Sequence, residues 1–536
     1  MRIRPAAKIA ALLASAALGP AAALASATGG TSLPGTGAMA APTRPSGATA
    51  ATGTTGRQTG HTGPAGHTGA TGPTGPTGHS GPTRHTTHPA PSSHALPAAP
   101  LLSEAALGRL QRVVATAMKP LGADSGIYAV DLATGQVLYD DAATTPRNPA
   151  SVEKLYTLTT ALARFGLKGR LTTSVYADGR LYSDGTFRGD LYLRGGGDPT
   201  FGDRHFIGEH YGGVGTTVGA LAVKLVAALH VRKIEGSIIG DESDFDSRRG
   251  GPSTNFAVDA NLVGQLSALA FDRGVIAAGY PTPPAYSAFR LAQALRSRGI
   301  QVTGRSRAGT LPATGARFVT SIASPTMTQL VALTARPSDD FFAEMLLKAL
   351  GARFGAGGTT AAGAAVVSQF LARLHLTPAV ADGSGLSRDD RTSPLDVVTL
   401  LRDLSTGGVP ALQAVGAVMR ASLPVAAESG TLILRLHHTV AAGRCVAKTG
   451  TLSDASDLAG WCDGSFAFAF LMNHVNVYSA ENAQDALAIG LARLATPAQS
   501  PAAGASSASR PASSRTATPR RSAFSSFEPG LSPATT

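Results

Sequence analysis

A serine and a lysine stand three residues apart in one segment of this 536-residue chain, Ser151-Val152-Glu153-Lys154. On a helix, this spacing places the serine hydroxyl and the lysine amine on the same face. A serine hydroxyl is a poor nucleophile until a base removes its proton, and a desolvated lysine can act as that base. The pattern therefore predicts a nucleophile at Ser151 with Lys154 as its base. The alternative is that Ser151 only caps a helix and Lys154 lies on the surface.

A second pattern, Ser338-Asp339-Asp340, directly precedes an expected helix. Serine followed by acidic residues is also an ordinary helix start, because such side chains accept hydrogen bonds from free N–H groups of the first turn. On its own, this segment therefore fits a helix cap as well as a catalytic group.

A third pattern, Lys448-Thr449-Gly450-Thr451, lies on an expected strand. A cation and two hydroxyls on one strand are suited to holding a substrate carboxylate, and Gly450 leaves room for a close approach. This segment therefore fits a strand that binds a substrate carboxylate.

Hydrophobic periodicity predicts the elements that carry these residues. Ser103 caps a first helix, and Ile127–Leu132 with Gln136–Tyr139 reads as a hairpin. Helical patterns cover about 151–165, 341–350 and 394–404, and Ser479 is expected to cap the last helix. Strands are expected at 190–194, 233–239, 445–451, 457–462 and 466–472. The expected fold is α+β, an antiparallel sheet flanked by helices, with a β-rich insertion.

Composition divides the chain into five parts. Residues 1–25 have the charged start, apolar stretch and small residues of a signal peptide, so we expect export to the periplasm, cell wall or exterior. Cleavage is expected, and an uncleaved N-terminal anchor is the alternative. Residues 26–100 (rich in Gly, Thr, Pro and His) and 497–536 (rich in Ser, Pro and Arg) lack the apolar side chains of a core and are expected to be disordered. The catalytic domain is expected at 101–167 and 325–496, with the inserted region at 168–324.

The net charge of +12 belongs mostly to the two ends of the chain. The nearly balanced middle excludes a nucleic-acid-binding footprint, whereas the basic ends are suited to peripheral association with anionic wall polymers. The linker at 26–100 is expected to be a solvated spacer; metal binding by its scattered histidines is the weaker alternative. No metal-ligand spacing is seen.

The order of the three patterns resembles that of the class C low-molecular-mass penicillin-binding proteins, the D-alanyl-D-alanine carboxypeptidase/endopeptidase family. The similarity extends to further segments: Leu191–Thr200, Gly240–Asp246, Ser338–Lys348, Asp382–Arg388 and Lys448–Leu452. The resemblance implies a penicilloyl-transferase-type core with a large insertion between the first and second motifs. It also implies peptidoglycan stem peptides as substrates, β-lactams as inhibitors, and no cofactor.

The resemblance further implies a role for each site residue. Ser151 would form the acyl enzyme with Lys154 as its base, and Ser338 would relay a proton to the leaving D-alanine. Lys448 and Thr449, beside Gly450 and Thr451, would bind the terminal carboxylate. The N–H groups of Ser151 and Thr451 would form the oxyanion hole. Arg388 and Ser453 resemble positions near the side chain of the stem peptide.

Asp340 departs from the family pattern, which has Asn at this position. An amide donates and accepts hydrogen bonds, whereas a carboxylate only accepts. A carboxylate beside Lys154 would hold that lysine protonated and weaken it as a base. The main interpretation is a carboxypeptidase with or without endopeptidase activity. A β-lactamase, which carries the same three motifs, is one alternative, and the large insertion argues against it. Asp340 and the basic ends leave a catalytically weak wall-binding protein as the other alternative.

The only two cysteines, Cys445 and Cys462, lie on two expected strands. If those strands pair antiparallel, the two residues come roughly opposite each other, and an exported protein can oxidise them to a disulfide. The alternative is a pair of buried free thiols.

Overall fold

The structure is a computed structural model that describes residues 101–277, 279–406 and 410–495, without the side chains of residues 410 and 411. The expected signal peptide, the linker at 26–100 and the tail at 497–536 lie outside these residues.

The described residues form twelve strands and eleven α-helices. In chain order, the strands are β1 Ser125–Asp131, β2 Val137–Asp141, β3 Thr172–Leu181, β4 Thr186–Gly195, β5 Lys233–Glu235, β6 Ile238–Asp241, β7 Gln301–Val302, β8 Arg307–Ala308, β9 Arg317–Ala323, β10 Cys445–Leu452, β11 Ala455–Cys462 and β12 Phe466–Met472. The helices are α1 Glu104–Met118, α2 Lys154–Phe165, α3 Arg204–Tyr211, α4 Val218–Leu229, α5 Pro283–Arg296, α6 Met327–Ala335, α7 Asp340–Phe354, α8 Thr360–Ala372, α9 Pro394–Thr406, α10 Pro410–Ser422 and α11 Val477–Leu494.

The first sheet has the order β10-β11-β12-β1-β2 and is antiparallel throughout. Its central strand β12 is buried along its whole length, and its side chains alternate between large and small from Phe466 to Phe470. Phe466, Phe468 and Phe470 face a cluster that includes residues of α1 and α11. Ala467 and Ala469 face the second cluster, built largely from α2, α7, α9 and α10. Because successive strand residues point to opposite faces, this one strand joins both layers of helices.

The second sheet belongs to the inserted region. Its main path is β7-β5-β4-β3-β9, with β6 paired to β4 and β8, and it mixes antiparallel and parallel pairs. Side chains of α4 and α5 pack against it in a third apolar cluster. The strands of this sheet lie between Thr172 and Ala323, within the expected insertion.

The α+β expectation is confirmed, with differences in detail. The insertion carries three helices (α3, α4 and α5) that its expected β-rich character did not include. The run at 233–239 is two short strands, β5 and β6. Asn476 rather than Ser479 caps α11, because the Asn476 side chain accepts a hydrogen bond from the Ser479 N–H. Among the described residues, no helix is both long and apolar enough to cross a membrane.

Candidate active site

Ser151 lies on a 3₁₀ turn, Ala150–Glu153, that leads directly into α2. The sequence predicted an α-helix from Ser151; in a 3₁₀ turn, residues three apart lie one above the other, which aligns the two side chains more directly. The Lys154 Nζ donates to the Ser151 Oγ at 2.8 Å. The side chain of Asn148 holds the turn from outside, accepting from the Ala150 N–H and donating to the Ser387 carbonyl.

Lys154 is fully buried and has two further acceptors besides Ser151. Its Nζ lies 2.6 Å from the Asp340 Oδ1 and 2.5 Å from the carbonyl oxygen of Ser384. A neutral lysine amine keeps two hydrogens and one lone pair. In the neutral amine, hydrogen bonds to Asp340 and Ser384 use both hydrogens, so the lone pair is left for the Ser151 hydroxyl in place of the hydrogen bond that the charged lysine donates there. The arrangement is therefore suited to removing the Ser151 proton.

Ser338 stands just before α7, in the left-handed region with φ 63°. The N-cap of α7 is the next residue, Asp339, whose side chain accepts from the Phe342 N–H. Because Asp339 caps the helix, the Ser338 hydroxyl is left for another partner: the Lys448 Nζ donates to it at 2.7 Å. The capping interpretation thus applies to Asp339 rather than to Ser338.

Arg273, from the inserted region, braces this segment. Its guanidinium binds both oxygens of Asp339, at 2.6 and 3.1 Å, and lies over the ring of Phe341. This ion pair therefore holds the second motif in place. Sequence reasoning missed Arg273, which is far from Asp339 in the chain and belongs to none of the three patterns.

Lys448 is fully buried on β10 and also donates to the carbonyl oxygen of Thr449 at 2.8 Å. Burial, aided by the charge of Lys154, lowers the pKa of Lys448 well below its usual range, and Asp340 partly opposes that shift. The charge of Lys154 therefore favours the neutral form of Lys448, and the charge of Asp340 favours its protonated form. Asp340, which the sequence allowed to pair with either lysine, forms its ion pair with Lys154.

The strand β10 passes close to the nucleophile turn at Gly450. A Cβ at this position would lie 2.7 Å from the carbonyl oxygen of Pro149 and 3.0 Å from the Asp457 Cβ. Glycine therefore permits the close contact between the first and third motifs. The Thr449 hydroxyl is hydrogen-bonded to that of Thr431 at 2.7 Å, whereas Thr451 is exposed.

Arg388 and Ser453 contact each other at an exposed position. Arg388 donates to the Ser453 Oγ at 3.0 Å and forms an ion pair with Asp454 at 2.5 Å. The hydrogen bond from Arg388 lowers the pKa of Asp454. Asp454 was missed by sequence reasoning, although it directly follows Ser453.

A group of buried carboxyl side chains lies behind Lys154: Glu153, Glu344, Asp382 and Asp390. Glu344 accepts from the N–H groups of Gly383 and Ser384, and Asp382 accepts from three N–H groups of the same loop. Burial, followed by the charge of Asp382, raises the pKa of Glu344 to about 8. Burial likewise raises the pKa of Glu153 and of Asp390 well above the usual range.

Three of them, Glu344, Asp382 and Asp390, hold the loop that supplies the Ser384 carbonyl to Lys154 by accepting hydrogen bonds from its N–H groups. None was expected as a site residue. Glu344 follows Asp340 by four residues on α7, so the helical spacing that puts both on one face was the available signal.

Cys445 and Cys462 form a disulfide between β10 and β11, three residues before Lys448. They stand directly opposite each other in the strand register. Across the described ranges, no group of three or more His, Cys, Asp or Glu residues is arranged to hold a metal ion.

The sequence model of the D-Ala-D-Ala carboxypeptidase 3 (S13) family matches residues 109–281 and 276–494. A curated relative, the D-alanyl-D-alanine carboxypeptidase of Actinomadura sp. (strain R39), is 29% identical over 494 residues, covering 75% of this chain and 88% of the relative.

Among solved structures, penicillin binding protein 4 from Haemophilus influenzae is similar in fold, with a TM-score of 0.58 at 19% identity, covering 71% of this chain and 99% of that one. The same protein in complex with a β-lactam gives a TM-score of 0.55 at 18% identity, with 70% and 97% covered.

Proposed function

Because this chain belongs to the D-Ala-D-Ala carboxypeptidase 3 (S13) family, we propose that it removes the terminal D-alanine of peptidoglycan stem peptides through an acyl enzyme on Ser151. It is an enzyme of the D-Ala-D-Ala carboxypeptidase class. One observation carries the proposed mechanism: the Lys154 Nζ lies 2.8 Å from the Ser151 Oγ. Lys154 is fully buried, and its other hydrogen bonds go to Asp340 and to the Ser384 carbonyl oxygen.

In the acylation step, the Ser151 Oγ attacks the carbonyl carbon of the penultimate D-alanine while Lys154 takes the hydroxyl proton. The negative charge formed on the carbonyl oxygen is stabilised by the N–H groups of Ser151 and Thr451. The close contact between Gly450 and Pro149 supports this oxyanion hole, because it brings the segment of Thr451 next to the segment of Ser151.

Departure of D-alanine requires a proton on its nitrogen. Ser338 supplies it and is reprotonated through Lys448, to which its hydroxyl is hydrogen-bonded. The lowered pKa of Lys448 supports this role, because a buried ammonium with a weakened hold on its proton is a better donor. The proton that Lys154 took from Ser151 leaves to solvent, and Lys448 takes up a proton to replace the one it gave. Water then attacks the ester carbonyl carbon as Lys154 removes a proton from it, and Lys154 returns that proton to the Ser151 oxygen as the ester bond breaks.

Substrate recognition is proposed at two places. Lys448 and Thr449 bind the terminal carboxylate, while Gly450 lets their strand lie against the turn that carries Ser151. Arg388 and Ser453, already in contact with each other, lie near the side chain of the stem peptide.

We place this activity outside the cytoplasm, on the wall side of the membrane. The signal-like residues 1–25 support export, and the Cys445–Cys462 disulfide suits an oxidising compartment. The basic ends of the chain would add peripheral attachment to anionic wall polymers, an interaction weakened by salt.

Labelling with a fluorescent penicillin, alongside release of D-alanine from an acetylated L-Lys-D-Ala-D-Ala peptide, tests the proposal. We expect one stable label per chain, on the peptide containing Ser151, and D-alanine release that Ser151→Ala abolishes. Ser297→Ala, at a serine of the inserted region, is the matched control and should label normally.

The other outcomes identify the alternatives. Rapid release of hydrolysed drug would indicate a β-lactamase. Absence of both labelling and peptide cleavage, with the fold intact, would indicate the catalytically weak wall-binding protein that the Lys154–Asp340 ion pair favours. Labelling of a serine other than Ser151 would contradict the assigned nucleophile.

A further inference from the structure

Thr431 contacts the proposed carboxylate-binding strand but belongs to none of the three motifs. Its hydroxyl oxygen lies 2.7 Å from that of Thr449, and either oxygen can be the donor. Both residues are half-buried. The contact comes from a short 3₁₀ turn, Gly430–Leu432, that lies outside the strands of the sheet.

This turn is fixed from several sides. Gly430 has φ 60°, and a Cβ there would lie 2.3 Å from the carbonyl oxygen of Arg336. The Thr431 N–H donates to the same carbonyl, and the adjacent Leu432 is buried. Arg336 stands two residues before Ser338, so the turn is bound to the segment of the second motif. Its position leaves Thr431 little freedom to move relative to Thr449.

The shared hydrogen bond has two proton arrangements with different consequences. If Thr449 donates to Thr431, its single hydrogen is engaged and its oxygen offers only lone pairs to the substrate. If Thr431 donates, the Thr449 hydrogen is free to point at the substrate. A carboxylate only accepts hydrogen bonds, so it is compatible with the second arrangement alone.

We infer that Thr431 is a positioning residue that presents the Thr449 hydroxyl as a donor, and thereby makes the site selective for substrates whose leaving group carries a free carboxylate. This inference rests on the proposed role of Thr449. Thr431 touches the substrate only through Thr449. When the substrate carboxylate binds, the Thr431 hydroxyl donates to the Thr449 oxygen, so the Thr449 hydrogen is free to bond the carboxylate.

Two thioesters with the same D-alanyl acyl group test the inference. In one, the leaving thiol is thiolactate, which carries a carboxylate; in the other, it is ethanethiol, which does not. The variants are Thr431→Val, which keeps the shape and removes the hydroxyl, Thr431→Ser, which keeps the hydroxyl, Thr449→Val, and the double valine variant. Hydrolysis of both thioesters is measured as kcat/KM.

Thr431→Val is expected to lower kcat/KM about tenfold for the thiolactate ester, the effect of weakening one hydrogen bond to a charged group, and to leave the ethanethiol ester unchanged. Thr431→Ser should retain the wild-type preference. For the thiolactate ester, the double variant should have the same kcat/KM as Thr449→Val, because Thr431 acts only through the Thr449 hydroxyl. If Thr431→Val does not fold, Thr431→Ala serves, with the same selective loss expected.

Equal losses on both thioesters would overturn the inference, because a merely structural role affects both substrates alike. If the wild-type enzyme hydrolyses the two thioesters with equal kcat/KM, Thr449 does not bind a substrate carboxylate, and this inference is wrong. The assignment of Ser151 as the nucleophile would not be affected. The proposed function itself fails only if neither thioester is cleaved in a Ser151-dependent way.

Discussion

The ammonium group of Lys154 lies 2.6 Å from the Asp340 Oδ1 in an ion pair whose lysine is fully buried and whose carboxylate is one-fifth exposed. Asp340 occupies the position where the family pattern has Asn. Its carboxylate stabilises the protonated form of the proposed base, yet its oxygen also accepts one of the two hydrogens that leave the Lys154 lone pair facing Ser151. The two effects oppose each other.

Asp340→Asn separates the charge from the hydrogen bond. The amide oxygen can still accept from Lys154, while the loss of the negative charge makes the free amine accessible at lower pH. We expect acylation by a fluorescent penicillin to be retained or faster, with its optimum moved to lower pH. Asp340→Ala, which removes the acceptor as well, should acylate about tenfold more slowly.

If the site has adapted to a protonated Asp340, Asp340→Asn would be nearly silent and Asp340→Ala alone would be damaging. Acylation rates measured against pH for both variants distinguish these results. A severe loss in Asp340→Asn with an intact fold would contradict both accounts and give the carboxylate a chemical role of its own.

Glu344 should make the stability of the protein depend on pH. Its folded-state pKa of about 8 lies above the ordinary value of 4.5, so between these values the unfolded chain is ionised while the folded protein keeps the proton. Folding therefore takes up a proton, and stability falls as pH rises through this window, by up to about 1.4 kcal/mol per pH unit from this group. Glu344→Gln, which cannot ionise, should flatten that slope.

Urea unfolding at pH 5, 6, 7 and 8 measures the slope for both proteins. Glu153 and Asp390, whose pKa values are also raised, act in the same direction, so the variant should keep part of the slope. Glu481→Gln, on α11, is the control and should keep the wild-type slope. An unchanged slope in Glu344→Gln would show that Glu344 is already ionised in the folded protein.

The Cys445–Cys462 disulfide should contribute about 3 kcal/mol to the free energy of unfolding, because it closes a loop with a sequence separation of 17. The variant lacking both cysteines (Cys445→Ala, Cys462→Ala) should be less stable by this amount in urea unfolding. It should still be acylated at Ser151, since the paired backbone of β10 and β11 keeps Lys448 in register.

Mass spectrometry of the exported protein under non-reducing conditions provides the covalent check. Both sulfurs belong to buried residues, so reductant alone should not open the bond in the folded protein. Free thiols in the exported protein, or a double variant as stable as the wild type, would contradict the prediction.

A protein comprising residues 101–496 should fold and be acylated at the wild-type rate. The segments removed have a composition that cannot form a packed core, and every proposed site residue lies within 101–496. Acylation and thermal unfolding of this protein and the full chain are compared directly. Loss of acylation on truncation would show that one of the removed segments supports the catalytic domain.

The amino-acid sequence determined the features that depend on short spacing. Ser151 and Lys154 are three residues apart, so any helical turn brings them together, and the capping residue Ser103 and the strand at 466–472 follow from local pattern. The opposite placement of Cys445 and Cys462 follows from one antiparallel pairing of neighbouring strands. The ordered motifs also identified the family.

The tertiary structure alone decided the contacts that tune those residues. Lys154 donates to the backbone carbonyl of Ser384, 230 residues away in the chain. Every residue has a backbone carbonyl, so the sequence does not indicate which one Lys154 contacts. Arg273 reaches Asp339 from the inserted region, 66 residues away, and Thr431 meets Thr449 only because Gly430 packs against Arg336. Such pairings depend on how whole elements pack, because local periodicity predicts the face that a residue occupies but not the residue that faces it from another element.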